Sequence, residues 1–268
     1  MNINKLCIGS GLDEEVTGLV LKYNSMFEYD KISDKCNKLY MPATWEEGIR
    51  ELQEYCGEDE DGIKMLTLCL YCLIHTYDMY QEKGIPDIIF WDTIKFIPRF
   101  MGKHKELYGK NAFTWAWWFP RQISMYEYRI GEYEYEFIEE DSIKKISLHI
   151  PSDANLKSGN IAAVFPFVQK YYPEYINADI VCDSWLMVPA LTGLLPPGSN
   201  IVQFQKQFNI KSVDEDSLAF MDWIYQSRDI AYNDLPENTS LQRKVKEHLL
   251  SGGKIGWAYG IYKKQDIS

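Results

Sequence analysis

The sequence predicts an α+β fold, in which a helical N-terminal part precedes a mixed, mainly antiparallel sheet flanked by helices. The change of period along the chain carries this reading. Up to about residue 112 apolar residues recur at helical spacing, and from about residue 125 they alternate with polar ones. The composition agrees: 268 residues, 46% hydrophobic and 15% aromatic, can bury a large core, and disorder and collagen-like repeats are excluded. The expected division is a helical domain at 1–112 and an α/β domain at 113–268.

In the helical part, Asp13, Glu14 and Glu15 open a helix with Val16, Leu19, Val20 and Tyr23 at helical spacing, the acids sitting at the positive end of its dipole. Thr44 and Glu47 match a capping box before Ile49 and Leu52. Residues 63–83 form the most apolar helix, stopped at Gly84-Ile85-Pro86 because a proline disfavours helix in the residue before it. Asp92 and Thr93 cap the next helix, kinked or restarted at Pro98.

Further on, Tyr126, Tyr128 and Ile130 alternate with Glu127 and Arg129. After Gly131-Glu132 the phase flips to Tyr133, Tyr135 and Phe137, as a tight turn or bulge produces. Glu134 and Glu136 then read as the solvated face of a strand. Ile146, Leu148 and Ile150 alternate with Ser147 and His149 in a third strand, ended by Pro151-Ser152-Asp153. Asn160 caps a helix at 161–172. Residues 180–186 form a strand, Pro189 opens a short helix, and Ser199 caps another through Phe208. Residues 218–225 read as a strand and 241–250 as a helix closed by Gly252-Gly253. Ile255, Trp257, Tyr259 and Ile261 alternate in a last strand.

Charge narrows the function classes. Lys and Arg number 28 against 39 Asp and Glu, a net −11, and neither half is basic, so attraction to nucleic acid or anionic membrane is not expected. The longest apolar run, near 66–74, is about half of what a bilayer span needs. The six cysteines do not resemble a disulfide framework, and Cys69 and Cys72 lack a second ligand pair for zinc. They read as reduced core residues of a soluble, cytoplasmic protein, with no metal.

No GxSxG, HExxH, Walker A or GxGxxG motif occurs. The cluster at 252–256 follows a helix, whereas a phosphate site wants a helix N-terminus. His149, at a strand end beside a polar loop, is a candidate general base. Cys182 and Ser184, on a second strand, are the other candidate catalytic residues, Cys182 as nucleophile. Ser152, Asp153, Ser158, Gly159 and Asn160 lie in a polar loop between strand and helix, where backbone amides could hold an anion. Arg243, Lys244, Lys246 and Lys254 form a small basic zone.

Several segments together resemble a known family. They are Gly84-Ile85-Pro86, Trp91-Asp92-Thr93-Ile94, Trp118-Phe119-Pro120-Arg121-Gln122, Tyr128-Arg129-Ile130-Gly131 and His149-Ile150-Pro151-Ser152-Asp153-Ala154. With them go Cys182-Asp183-Ser184-Trp185-Leu186, Leu195-Pro196-Pro197-Gly198-Ser199-Asn200-Ile201, Phe204 and Phe208. The chain is similar to bacterial acyltransferase-domain proteins with a helical N-acyltransferase N-terminal domain and a GNAT-like C-terminal domain. The likeness implies a GNAT-like sheet, acyl-coenzyme A as cosubstrate with no tightly bound cofactor, and an amine acceptor. It implies pyrophosphate at the 152–160 loop, although the usual Gln/Arg-x-x-Gly-x-Gly/Ala signature is absent there. His149 is then the base and a tyrosine such as Tyr225 or Tyr259 the acid. The alternatives are a non-catalytic GNAT-like module binding a peptide or metabolite in an aromatic cleft between the domains, and a thiol hydrolase using Cys182 and His149. Oligomeric state is open.

Overall fold

The structure is a computed structural model that describes residues 1–264. Among the described residues the helices are α1 (Ile3–Ser10), α2 (Glu14–Met26), α3 (Ser33–Asn37), α4 (Trp45–Cys56), α5 (Ile63–Lys83), α6 (Asp87–Ile94), α7 (Phe96–Tyr108), α8 (Pro120–Ile123), α9 (Val164–Tyr171), α10 (Ala190–Leu194), α11 (Asn200–Gln205), α12 (Phe220–Ile224) and α13 (Ser240–Leu250). The strands are β1 (Glu127–Ile130), β2 (Tyr133–Glu140), β3 (Ile143–His149), β4 (Asp179–Ser184), β5 (Phe208–Asp214) and β6 (Trp257–Tyr262). The fold class is the expected one, α+β with a mixed sheet. No helix among the described residues is long and apolar enough to cross a membrane.

The chain divides into two compact units. The first holds Met1–Glu136, Pro151–Asp153 and Ile161–Pro173; the second holds Phe137–Ile150, Ala154–Asn160 and the chain from Glu174. In the first, α5 is the spine: Leu66, Leu68, Cys69, Leu70 and Leu73 are fully buried. Its end is fixed by Gly84 at φ 67°, whose N–H bonds back to Tyr80 and Gln81, a left-handed cap that glycine takes without steric cost. Thr44 precedes α4 but caps nothing, because its hydroxyl donates to Lys38 and Met41 carbonyls instead.

β1 and β2 pair antiparallel, Glu127 opposite Glu136 and Arg129 opposite Glu134. Gly131 at φ 65° is the one positive-φ residue of their two-residue turn, the type II′ geometry that matches strand twist. This turn is the predicted phase flip. The glutamates correct the sequence reading. Glu127, Arg129, Glu134 and Glu136 are all buried; they face charged and amide side chains, so the alternation is between a tyrosine face and a buried polar face.

In the second unit the hydrogen-bonded order is β2-β3-β4-β6-β5. Asp141 and Ser142, both at positive φ, make the tight turn from β2 to β3. β3 and β4 run parallel and are paired from Lys145↔Asp179 to Ser147↔Val181, whereas β6 is antiparallel to both β4 and β5. Two strand assignments change. Residues 220–224 are helical, and the chain past α11 turns into strand β5 at Phe208. Ser199 caps α11 as expected, accepting from Val202 N at 3.3 Å.

Because paired residues share a face, the second unit's sheet has one face built on Ile146, Leu148, Ile180, Cys182, Ala258 and Gly260, all buried. A Cβ on Gly260 would come within 2.9 Å of Met187 Cε, so the turn after β4 covers this face. Gln205 holds that turn by donating to the Leu186 and Val188 carbonyls at 2.6 and 2.9 Å. The other face carries Ser147, His149, Val181, Asp183, Trp257, Tyr259 and Ile261, of which Val181 alone is buried.

Candidate active site

Among the described residues, each unit presents a group of polar side chains that bears on chemistry. In the first, three arginines and one glutamine face the carboxylates of Glu127, Glu134, Glu136 and Asp153. Arg99 Nη2 donates to Glu134 Oε1 at 2.6 Å, Arg121 Nε to Glu136 Oε1 at 2.9 Å, and Gln122 Nε2 to Glu127 Oε1 at 2.6 Å. Asp153 accepts from Arg129 Nη1 at 2.9 and 2.8 Å and from Arg99 Nη1 at 3.3 Å. Partial burial alone would raise its carboxyl, but the Arg129 bond and the Arg99 charge outweigh burial and hold it below the usual carboxylate range. Asp153 therefore anchors the 151–153 turn to two arginines, and its negative charge gives a phosphate nothing to bind. Arg121 also lies against Trp118, 4.1 Å from the ring centroid, a cation–π arrangement.

In the second unit the parallel pairing of β3 with β4 is set at Ser147↔Val181, and both strands run on. His149 and Asp183 each lie two residues beyond that pair, which puts them on one sheet face. Across β4 and β6, Asp183 is opposite Tyr259, on the same face again. Trp257, two residues before Tyr259 on β6, shares this face and favours the charged form of Asp183. Partial burial raises the Asp183 carboxyl, and Trp257 draws it only part of the way back. Tyr259 is raised by burial, with Lys145 opposing and Asp179, Glu140 and Asp183 reinforcing. A tyrosine so raised keeps its proton at neutral pH.

The other expected residues fall elsewhere. Cys182 is fully buried on the opposite, core face, where burial pushes its thiol well above the ordinary range, the reverse of what a thiolate nucleophile needs. Ser184 accepts from Leu186 N at 3.2 Å and caps the turn after β4. In the loop, Asn155 draws the chain onto itself: its Oδ1 accepts from Lys157 N at 3.0 Å, and its carbonyl accepts from Ser158 N at 3.2 Å and Gly159 N at 2.9 Å. Asn160 directly precedes the 3₁₀ turn Ile161–Ala163, which runs into α9. Ser152 is exposed beside the anchored Asp153. Tyr225 is buried and donates to the Gln242 carbonyl at 2.8 Å, its hydroxyl raised by burial to about 12. Of the two candidate tyrosines only Tyr259 lies with His149's face. The basic zone is tied down: Lys246 to Glu237 at 2.7 Å and Lys254 to Asp216 at 2.6 Å.

Sequence reasoning did not give a role to Asp183 or Trp257. The alternation of Trp257, Tyr259 and Ile261 marks a face, but only the β4–β6 register shows what that face meets.

With this geometry in hand, the comparisons place the chain. It matches the GNAT-like C-terminal domain over residues 99–262 and the N-acyltransferase N-terminal domain over residues 1–125. The first match covers more than half of the chain, which belongs to the GNAT-like C-terminal domain family. No curated protein sequence matches it. Among the solved structures that share its fold are two acyltransferase complexes. An acyltransferase in complex with decanoyl-CoA and teicoplanin is 18% identical with a TM-score of 0.68, and 99% of this chain covers 100% of that one. An acyltransferase in complex with CoA and 10C-teicoplanin is 17% identical with a TM-score of 0.69, at the same coverage.

Proposed function

We propose that this protein is an N-acyltransferase that moves an acyl group from acyl-coenzyme A to an amine. What supports the reading is that His149, Asp183 and Tyr259 share one sheet face, just past the last paired residues of the parallel strands β3 and β4. The family supports it, and so do the bound molecules of the two structural relatives, which are acyl-CoA or CoA and a glycopeptide.

The chemistry follows from these groups. The amine nitrogen attacks the thioester carbonyl carbon, a C–N bond forms and the C–S bond breaks. His149 takes the proton lost by nitrogen, and Tyr259 gives its proton to the leaving sulfur. Backbone N–H groups at the strand ends polarise the carbonyl oxygen. Cys182 and Ser184 take no covalent part. For the donor's phosphates we assign Lys157 as the positive charge, because the Ser158 and Gly159 N–H groups beside it are already bonded to the Asn155 carbonyl. The six thiols, all buried and free, fit a reducing compartment, and we place the protein in the cytoplasm.

Calorimetry with decanoyl-CoA and with CoA tests the reading. Saturable micromolar binding, weakened by Lys157→Glu, is expected, together with thiol release that depends on added amine. Absence of binding up to millimolar donor would overturn it and leave a non-catalytic binding module.

A further inference from the structure

The acyltransferase reading leaves open how an amine is chosen over any other nucleophile, and the open face of the second unit's sheet speaks to this. On β6, Trp257, Tyr259 and Ile261 form a stripe of half-buried side chains. Asp183, exposed on β4, lies directly opposite Tyr259, and Asp214, exposed on β5, directly opposite Trp257. Asp179 extends the same side of β4. Lys145, the cation that shares this face, is joined to Glu140 at 2.8 Å. The face therefore presents aromatic rings bordered by carboxylates, while the opposite face of the same strands is packed into the core.

Resting on the acyltransferase reading, we infer that Asp183 is the specificity residue for the acyl acceptor, anchoring the ammonium of a ring-bearing primary amine while Trp257 and Tyr259 receive the ring. The charge pattern selects a cation. A carboxylate accepts charge-assisted hydrogen bonds from an ammonium, and the faces of Trp and Tyr attract the same charge. Trp257, two residues before Tyr259 on the same face, borders the Asp183 position diagonally across β4 and β6. The position is also the right one for the reaction, because Asp183 is level along the strands with His149, each two residues past Ser147↔Val181. An amine held there is one proton transfer from the base.

Tyramine is the probe, with 4-ethylphenol as the same ring without the ammonium. Calorimetry should show saturable tyramine binding that falls about tenfold or more in Asp183→Asn, is unchanged in Asp234→Asn, and exceeds that of 4-ethylphenol. Asn replaces the carboxyl at nearly the same size, and the Asp234 variant, exposed and away from the sheet, controls for general loss of surface charge. Equal tyramine affinity in Asp183→Asn and wild type, or no binding up to tens of millimolar, overturns the inference. CoA release separates the two readings: wild-type protein that binds tyramine through Asp183 yet releases no CoA from decanoyl-CoA supports this site and counts against acyl transfer. Turnover with tyramine whose KM is untouched by Asp183→Asn does the reverse.

Discussion

Arg99 and Glu134 meet at 2.6 Å with their side chains only 10% and 6% exposed. Arg129 sits opposite Glu134 across the ribbon and bonds Asp153, so two guanidiniums and two carboxylates are balanced within a few ångströms. Removing one partner of such a buried pair strands the other without water. Arg99→Ala should cost about 3–5 kcal/mol in urea denaturation. Arg99→Met with Glu134→Leu should recover most of that loss, because Arg129 and Asp153 still neutralise each other. A double variant as unstable as the single one would show that the pair does more than cancel charge.

Asp153 gives the same network a pH signature. Its folded-state pKa is held below the ordinary value by Arg129 and Arg99 against the effect of burial. For a depressed carboxyl, the stability contributed is fully present above the unfolded value near 4 and is lost as pH falls through the lower folded value. The stability gap between wild type and Asp153→Asn should therefore be flat from pH 7 to about pH 5 and close below about pH 4. A gap that persists unchanged to pH 2 would remove Asp153 from the network's charge balance.

Much of this architecture was legible in the chain. The 63–83 helix, the three alternating segments after residue 126 and the Ser199 cap depend on local period and local hydrogen bonds, and they stand as read. What failed was local pattern overruled by partners far along the sequence. Glu134 and Glu136 look like a wet strand face, but Arg99 and Arg121 arrive from α7 and α8 and make burial tolerable. Residues 218–225 look like a strand because their apolar content does not distinguish a short buried helix. At the candidate site His149's face was readable from alternation. Asp183 was not, because its importance comes from Tyr259, 76 positions later in the chain and opposite it only through β4–β6 pairing.

The two histidine-side and thiol-side readings make opposite forecasts. Cys182 is buried on the core face with its thiol raised, so Cys182→Ala should leave kcat for amine-dependent CoA release within about twofold, apart from a modest stability loss from the small cavity. His149→Ala should lower kcat by about 10²–10⁴-fold, the usual contribution of a positioned base. The reverse pattern in steady-state thiol release would restore the cysteine mechanism.

Asp183 should also weigh on stability, with the opposite sign from Asp153. Its carboxyl is raised by partial burial, so its contribution is fully present below the unfolded value near 4 and is lost as pH rises through the folded value. Asp183→Asn, which cannot ionise, should therefore gain on wild type as pH climbs from 3 to 7. Denaturation at both ends of that range measures it. A variant that gains nothing would mean that the folded protein does not penalise this carboxylate.

Gly256 is where the site's framework can be broken without touching a polar group. It lies just before β6 at φ 80°, and a Cβ there would come within 2.3 Å of the Asp214 carbonyl oxygen and 2.8 Å of Glu215 Cα. Both contacts are backbone, so no side chain can swing aside. The left-handed conformation adds its own penalty for any residue with a Cβ. Gly256→Ala should cost about 2–4 kcal/mol. At about 2–4 °C per kcal/mol for a chain of this size class, the melting temperature should fall by roughly 4–16 °C. Because Gly256 sets how Trp257 enters the sheet opposite Asp214, tyramine binding should weaken in the same variant at a temperature where it is still folded. An alanine accepted with unchanged melting temperature would show that β5 and β6 separate here, and that the aromatic stripe is not held in the register that places it beside Asp183.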